Sequence, residues 1–401
     1  MITRLHIENF RGFERSDIDI APITIFTGGN NTGKSSVMYA LLALKNIVSN
    51  PNQPLDSFFN FLFMNLGGFK ETVHLKEEDS RRLVIGVQCC RPEFESTYRV
   101  ELGKTQSTLS VDQFQPAPFQ LRLDVTFPCA LNLNTGTSLG EEYGGAKITW
   151  NGISATVSTE SAGSEAVVEN IVMGVNGPAE DIKGVDFVPL KRGFIKPVFS
   201  PVPLQPQLVT EDEIATTIAN DRDLEGAVSF YLERIVNKSF QARPVLGASS
   251  FYLQTTDRGG GGFVCDLVND GFGTSQLVYL LAKALRKGQT LVCIEEPEIH
   301  LHPQALLRLA EVLIEIAKEK HRRFLISTHS EHFVMSLLNK LRSGVLEERD
   351  LRVYYLRKEK VCTVIEEQQV NSKGQIEGGL KGFYETELEQ MREFLQIGSR
   401  E

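Results

Sequence analysis

Eight residues at positions 28–35, GGNNTGKS, restrict what this chain can fold into more than any other part of it. Gly28 and Gly33 allow backbone conformations that a side chain would obstruct, so the N–H groups of a loop through Asn30 and Asn31 can point at phosphate oxygens. Lys34 then reaches the β and γ phosphates, and Ser35 offers its hydroxyl to Mg2+. The helix opened by Ser35 and Ser36 presents its positive end to the bound anion. Such a loop works only between a strand and a helix. Ile23, Ile25 and Phe26 predict a short buried strand before it. After it, Val37, Leu41, Leu44 and Val48, spaced by three and four, predict a helix from Gly33 to about Val48 that Asn50, Pro51, Asn52 and Pro54 end. Motif and setting agree on a purine nucleoside triphosphate, ATP, held with magnesium.

Three later segments carry further chemistry. LVCIEEPEIHLHP at 291–303 is an apolar strand ending in two carboxylates. Given the P-loop, Glu295 is placed to hold the magnesium shell and Glu296 to polarise an attacking water. Without it, the two acids would read as solvated loop residues. His300 and His302 alternate as zinc ligands can, but no Cys or third His accompanies them. FLISTHSEHF at 324–333 is a second buried strand, bringing Ser327, Thr328 and His329 to the same sheet edge. There His329 can contact the γ phosphate or the water, or merely neighbour a helix cap; His332 reads as structural. In NDGFGTSQLVYLL at 269–281, Gly271 and Gly273 precede Thr274, Ser275 and Gln276. This leaves a helix N-terminus with open N–H groups, either a second anion site or a glycine-rich turn capping the helix.

Between these motifs the pattern changes. Residues 1–75 read as strand, turn, strand and the P-loop unit, while 76–205 hold short strands such as RLVIGVQ, TYRVEL and AKITW between Gly, Pro, Asn and Ser clusters, as an antiparallel β insert would. PVFSPVPLQPQ at 197–207 predicts an extended connector, and residues from 211 to about 240 return to helical spacing within a 206–264 helical segment. From 265 to 401 strands and helices alternate again, with helices expected at 274–286 and 303–320. The fold class is α/β, begun and completed by the two ends of the chain. There is no internal repeat, and the insert has no heptads.

The first twenty residues carry Arg4, Glu8, Arg11, Glu14, Arg15, Asp17 and Asp19, leaving no apolar stretch for a signal peptide. The apolar runs at 58–66 and 277–285 are too short to span a bilayer, so no membrane association is expected. Six cysteines without a C-x-x-C pair suit a reduced, cytoplasmic protein; the vicinal Cys89 and Cys90 read as strand residues before a redox pair. A net charge of −9 argues against an indiscriminate nucleic-acid coat but leaves room for a local basic patch.

The order GGNNTGKS, long insert, GFGTSQ, IEEPEIHLHP, STHS resembles the ABC-class AAA-type ATPases of the SMC, RecF and OLD branch. It looks most like the single-chain bacterial ATPases of anti-phage defence and toxin-antitoxin operons. The resemblance covers about 1–75 and 265–385, and the tail KGQIEGGLKGFYETELEQM joins it. It implies an ABC-type P-loop NTPase domain, with a mixed, mostly parallel sheet and helices, split by a β-rich insert and a helical segment. By this likeness Glu295 is the Walker B acid, Glu296 the catalytic glutamate and His329 the switch histidine. Arg11, in NFRGF, matches a basic residue near the nucleotide, and His300 to His302 occupy the D-loop. Gly271, Gly273, Thr274, Ser275 and Gln276 form the signature that meets a partner subunit's ATP, implying an ATP-dependent homodimer or higher oligomer.

Two departures shape these expectations. Glu295 stands where Asp is usual, one methylene longer, so hydrolysis is expected to be slow. The transporter signature has serine where Gly273 falls, leaving Thr274 and Ser275 as alternatives for the hydroxyl that meets the γ phosphate. Gln53 is the nearest candidate for a Q-loop. The stretch after STHS is too short for the Toprim nuclease that OLD proteins carry, so the expected role is a sensor or regulator acting on a separate effector, a nuclease or toxin. The alternative is a RecF-like ATP-dependent DNA binder, with KEKHRRF at 318–324 and Lys283, Arg286 and Lys287 as phosphate contacts, or else as plain helix ends. A transporter subunit fits the large insert poorly.

Overall fold

The computed structural model describes residues 1–61, 63–129, 133–159, 165–204, 210–259, 261–377 and 379. In chain order the strands and helices begin with β1 (Ile2–Phe10), β2 (Phe13–Asp19), β3 (Ile23–Gly28), α1 (Lys34–Ser49), β4 (Asn60–Phe61), β5 (Met64–Asn65) and α2 (Phe69–Thr72). Next come β6 (Leu83–Arg91), β7 (Phe94–Leu102), β8 (Ser107–Gln115), β9 (Phe119–Val125), β10 (Thr135–Ser138), β11 (Lys147–Trp150), β12 (Ala155–Ser158), α3 (Glu165–Lys183) and β13 (Val185–Val188). The rest are α4 (Glu211–Asn220), α5 (Arg222–Val236), β14 (Lys238–Pro244), β15 (Phe251–Asp257), β16 (Val264–Asp266), α6 (Phe272–Leu285), β17 (Leu291–Glu295), α7 (Pro303–Glu319), β18 (Arg323–Ser327), α8 (Glu331–Arg342), β19 (Leu351–Glu359) and β20 (Cys362–Gln368).

Two compact units form from interleaved stretches. The first takes Met1–Ala21, Asn30–Val185 and Leu356–Glu366. Its main sheet is antiparallel, in the order β2-β1-β6-β7-β8-β9. Leu5 lies opposite Val87 and Ile7 opposite Ile85, so the strands after residue 76 extend the sheet begun by the N-terminal hairpin. The antiparallel strands match the expected β insert, but α3 falls inside that stretch, and its Gly174 and Gly177 form no turn. They serve close packing instead. A Cβ at Gly177 would meet the Phe94 ring at 2.4 Å, and one at Gly174 would meet Oε1 of Gln113 at 2.5 Å. The Ser96 hydroxyl donates to the Gly174 carbonyl at 2.7 Å.

The second unit takes Pro22–Gly29, Asp186–Tyr355 and the chain from Glu367. The sheet order β13-β17-β18-β3-β19-β20 is centred here, with β17, β18 and β3 parallel. All five residues of β17 are buried, as a strand covered on both faces requires. Helix α7 turns Leu306, Leu309, Ala310, Leu313, Ile316 and Ala317 inward, starting from Pro303 at its first position. The helical run expected at 211–240 is two helices, because Asp221 accepts from the N–H groups of Asp223 and Leu224 and starts α5 afresh. Phe240 is already in β14. The expected connector at 197–207 and the matching tail at 373–391 both lie partly outside the described residues.

Candidate nucleotide site

Parallel pairing fixes where the motifs emerge. Glu295 at the end of β17 stands opposite Ser327 at the end of β18, and Ser327 stands opposite Phe26 on β3. Three chain segments therefore leave the sheet at one carboxyl edge: Glu295-Glu296, Ser327-Thr328-His329, and Thr27-Gly28-Gly29, the start of the P-loop. Such an edge is where open α/β sheets bind ligands.

The loop itself is shaped for an anion. Gly28 has φ +131°, Asn31 +61° and Gly33 +101°. A Cβ at Gly33 would also crowd its neighbours, at 3.0 Å from Oγ1 of Thr363 and 3.3 Å from Cζ of Phe13. Helix α1 follows with no side chain capping it and no acid in its first turn, so its positive end suits a bound phosphate. Lys34 and Ser36 are buried in that first turn, with Ser35 half-buried between them. Arg11 has φ +52°. Its guanidinium lies 5.8 Å from the ring centroid of Tyr39, on α1. These features fit a triphosphate, and the Ser35 hydroxyl is an oxygen ligand of the kind magnesium takes.

At the acidic edge, Glu296 holds a left-handed conformation, φ +40°, costly for a residue with a Cβ. Its N–H donates to the Ser327 carbonyl at 2.8 Å. Its Oε1 lies 3.6 Å from Nε2 of His329, and both side chains are about one-third exposed, at 31% and 36%. Glu298, in the same acidic segment, ties the two segments together. Its Oε1 accepts from the N–H of His329 at 2.7 Å and its Oε2 from the Thr328 hydroxyl at 2.9 Å. Burial pushes the Glu298 carboxyl up, and these hydrogen bonds oppose the shift.

Arg192 is unmarked in sequence. It is 9% exposed and donates to the carbonyls of Pro189, Glu295 and Glu296. Burial lowers its guanidinium to about 10, against the pull of Glu298, Glu295 and Glu296, and it stays a cation at neutral pH. The N–H of Leu190 donates to Oε2 of Glu295 at 3.2 Å.

The remaining predicted residues divide. Gly271 precedes α6, whose first residue Phe272 is 68% exposed with its ring 5.8 Å from that of His300. A Cβ on Gly273 would meet the His300 carbonyl oxygen at 2.5 Å, so glycine lets the GFGTSQ turn rest on the HLH segment. Thr274 and Gln276 are buried. Ser275 is buried too, and its hydroxyl bonds both the N–H and the carbonyl of Phe194, at 2.7 and 3.2 Å. His302 caps α7, its Nδ1 accepting from the Gln304 N–H at 3.3 Å. His332 is exposed, and Gln53 lies between α1 and the 3-10 turn at Leu55–Phe59.

The basic residues divide between interior and surface, with Lys283 and Arg322 buried and Lys318 exposed. Arg322 is buried and caps the end of α6 through the carbonyls of Ala284, Leu285 and Arg286. Lys283 is buried against Asp186 at 2.7 Å, and Lys318 donates to the Val345 carbonyl. Lys287, Lys320 and His321 are exposed.

The AAA ATPase domain family matches residues 1–115 and 207–334, which is more than half of the sequence. This chain belongs to the AAA ATPase domain family. Its P-loop and acidic strand end thereby stand in an ATPase domain, and its fold is similar to that of an Smc head. The Smc head bound to the C-winged helix domain of ScpA superposes with a TM-score of 0.51 at 11% identity, covering 92% of this chain and 98% of that one. The SMC head domain from Thermotoga maritima gives 0.45 at 10% identity, covering 91% and 98%. No curated protein matches this AAA ATPase domain sequence.

Proposed function

We propose that the protein binds ATP with magnesium, hydrolyses it slowly, and uses the nucleotide to close a dimer that regulates a separate effector, in bacterial defence against phage. Gly28, Asn30, Asn31, Gly33, Lys34, Ser35 and Ser36 cradle the phosphates, with Arg11 beside them, and Ser35 and Glu295 hold the metal. Magnesium, when bound, neutralises charge developing on the phosphates. Glu296 draws a proton toward itself from the attacking water, and His329 faces the same water or the γ phosphate. The observation that carries this reading is the 3.6 Å approach of His329 to Glu296, at the sheet edge from which the P-loop departs.

Dimer closure is supported by the GFGTSQ turn, which holds the exposed Phe272 out beside His300, as a surface meeting a second subunit would. The regulatory role draws on the likeness to defence ATPases. A DNA clamp is less favoured, because Lys283 and Arg322 are engaged internally.

Phosphate release from ATP by the purified protein, compared with Glu296→Gln, tests the enzyme. Gel filtration of Glu296→Gln with ATP and magnesium tests the dimer, and a monomer at saturating ATP would sink that part. Plaque counts on cells carrying the gene with its neighbours test the biological role, which an unchanged count removes.

A further inference from the structure

The loop at residues 189–194 touches the acidic strand end at one end and α6 at the other. Near its start, Leu190 N–H reaches Oε2 of Glu295. In its middle, Arg192 Nη1 donates to the Glu295 carbonyl at 2.6 Å and the Pro189 carbonyl at 3.1 Å, while Nη2 donates to the Glu296 carbonyl at 2.9 Å. At its end, Phe194 exchanges hydrogen bonds with the Ser275 hydroxyl. Gly193 allows this approach: a Cβ there would stand 3.1 Å from that hydroxyl oxygen.

Arg192 thus acts where the backbone is strained. Glu296 needs support on both its polar backbone groups to stay at φ +40°. Its N–H is held by the Ser327 carbonyl, and its own carbonyl by Arg192, with Ile299 N–H a longer contact at 3.3 Å. Only a guanidinium provides several donors in one rigid plane, able to span consecutive carbonyls at fixed spacing. A buried cation is a costly way to fill space, yet this one reaches main-chain oxygens of both acids whose side chains are assigned to chemistry. Residue 192 also lies outside the two stretches that match the family.

We propose that Arg192 is a positioning residue for ATP hydrolysis, locking the Glu296 backbone so that its carboxylate faces the attacking water, and that the Phe194–Ser275 link couples this aim to the seating of the GFGTSQ helix. The proposal rests on the ATPase reading above. Misplacing a reacting group by about 1 Å costs on the order of 100-fold in rate. Arg192→Ala is therefore expected to lower kcat by about that factor while the KM and affinity for ATP stay as in the wild type. Arg192→Lys keeps the charge and the fold but cannot span consecutive carbonyls, so it falls well short of the wild-type kcat, again at unchanged KM. Ser275→Ala breaks the far link and gives a smaller kcat loss, which does not add to that of Arg192→Ala because both act through one loop.

Steady-state phosphate release, ATP binding by calorimetry and thermal melts on all three variants decide the matter. Wild-type kcat in Arg192→Lys overturns the positioning role. So does a parallel loss of ATP affinity and kcat in Arg192→Ala, which is the mark of a merely structural residue. A wild-type protein that neither binds nor hydrolyses ATP overturns the ATPase reading itself.

Discussion

Oε1 of Glu296 and Nε2 of His329 lie 3.6 Å apart, on segments that leave neighbouring parallel strands β17 and β18. The approach is set by main chain more than by the pair. Glu296 N–H is bonded to the Ser327 carbonyl and His329 N–H to the Glu298 carboxylate, so each residue is fixed through the other's segment. A gap of 3.6 Å puts the two groups within reach of one reacting centre.

If the two groups serve one water, removing either disables the step. Glu296→Gln is expected to lower hydrolysis by ~10²–10⁴-fold, the range for losing a positioned general base, with ATP binding retained. His329→Ala lowers it as well, and the double variant is scarcely slower than the worse single one, because groups acting as a unit are not additive. Single-turnover phosphate release on the three variants measures this. Additive losses would show that the residues act on separate steps.

Glu298 offers a test that needs no nucleotide. Burial raises its folded pKa above the ordinary 4.5, so the native state binds the proton more tightly than the unfolded chain. Stability contributed here is complete below the ordinary value and is lost as pH rises through the raised one. Glu298→Gln abolishes that slope while its amide oxygen still accepts from His329 N–H and its NH2 donates to the Thr328 hydroxyl oxygen, reversing that bond. Glu298→Ala leaves both donors without their acceptor, at a cost of ~1–3 kcal/mol. Urea melts across and above the carboxylate range check both outcomes, and a Gln variant with the wild-type slope would locate the titration elsewhere.

Which of these residues could be read from sequence follows from how each is recruited. The P-loop, β17 and β18 are local: strand, turn and helix signals sit within a dozen residues, and the buried parallel strands are mostly apolar. Arg192 and Glu298 carry no such mark. Arg192 lies in VPLKRGFIKP, which by composition is a connector, and its partners are main-chain carbonyls 103 and 104 residues away. Helix α3 was hidden because Gly174 and Gly177 signal turns in isolation and close helix–sheet packing in context. Ser275 was legible as a hydroxyl near a helix start, but its engagement by Phe194 is a tertiary fact.

Two glycines should fail on substitution for different reasons. Gly33→Ala places a Cβ at φ +101°, where an L-residue costs roughly 1–2 kcal/mol, and also against Phe13 and Thr363. It should weaken ATP binding directly. Gly273 needs no unusual φ, but its alanine would drive into the His300 carbonyl at 2.5 Å. That overpacking costs ~1–3 kcal/mol. On the dimer reading, it leaves ATP affinity of the monomer intact and impairs ATP-dependent association. Calorimetry with ATP and gel filtration separate the two effects, and equal ATP affinity losses in both variants would contradict the division.

The buried pair of Lys283 and Asp186 decides what the basic residues near the end of α6 are for. At 2.7 Å and with side chains 3% and 6% exposed, the ammonium is in no position to meet a nucleic-acid phosphate. Lys283→Ala leaves an uncompensated buried carboxylate, so the expected loss is ~3–5 kcal/mol of stability. Replacing both, as Lys283→Met with Asp186→Leu, restores much of it, because apolar residues of similar volume substitute well for a buried ion pair. Lys287→Ala is the surface control: its contact with Asp223 is 3.7 Å long and well exposed, and stability should move by under ~0.5 kcal/mol. Urea melts measure all three, alongside duplex-DNA binding at two salt concentrations. A Lys283→Ala protein that melts like wild type but loses salt-sensitive duplex binding would return this side chain to a DNA-contacting role.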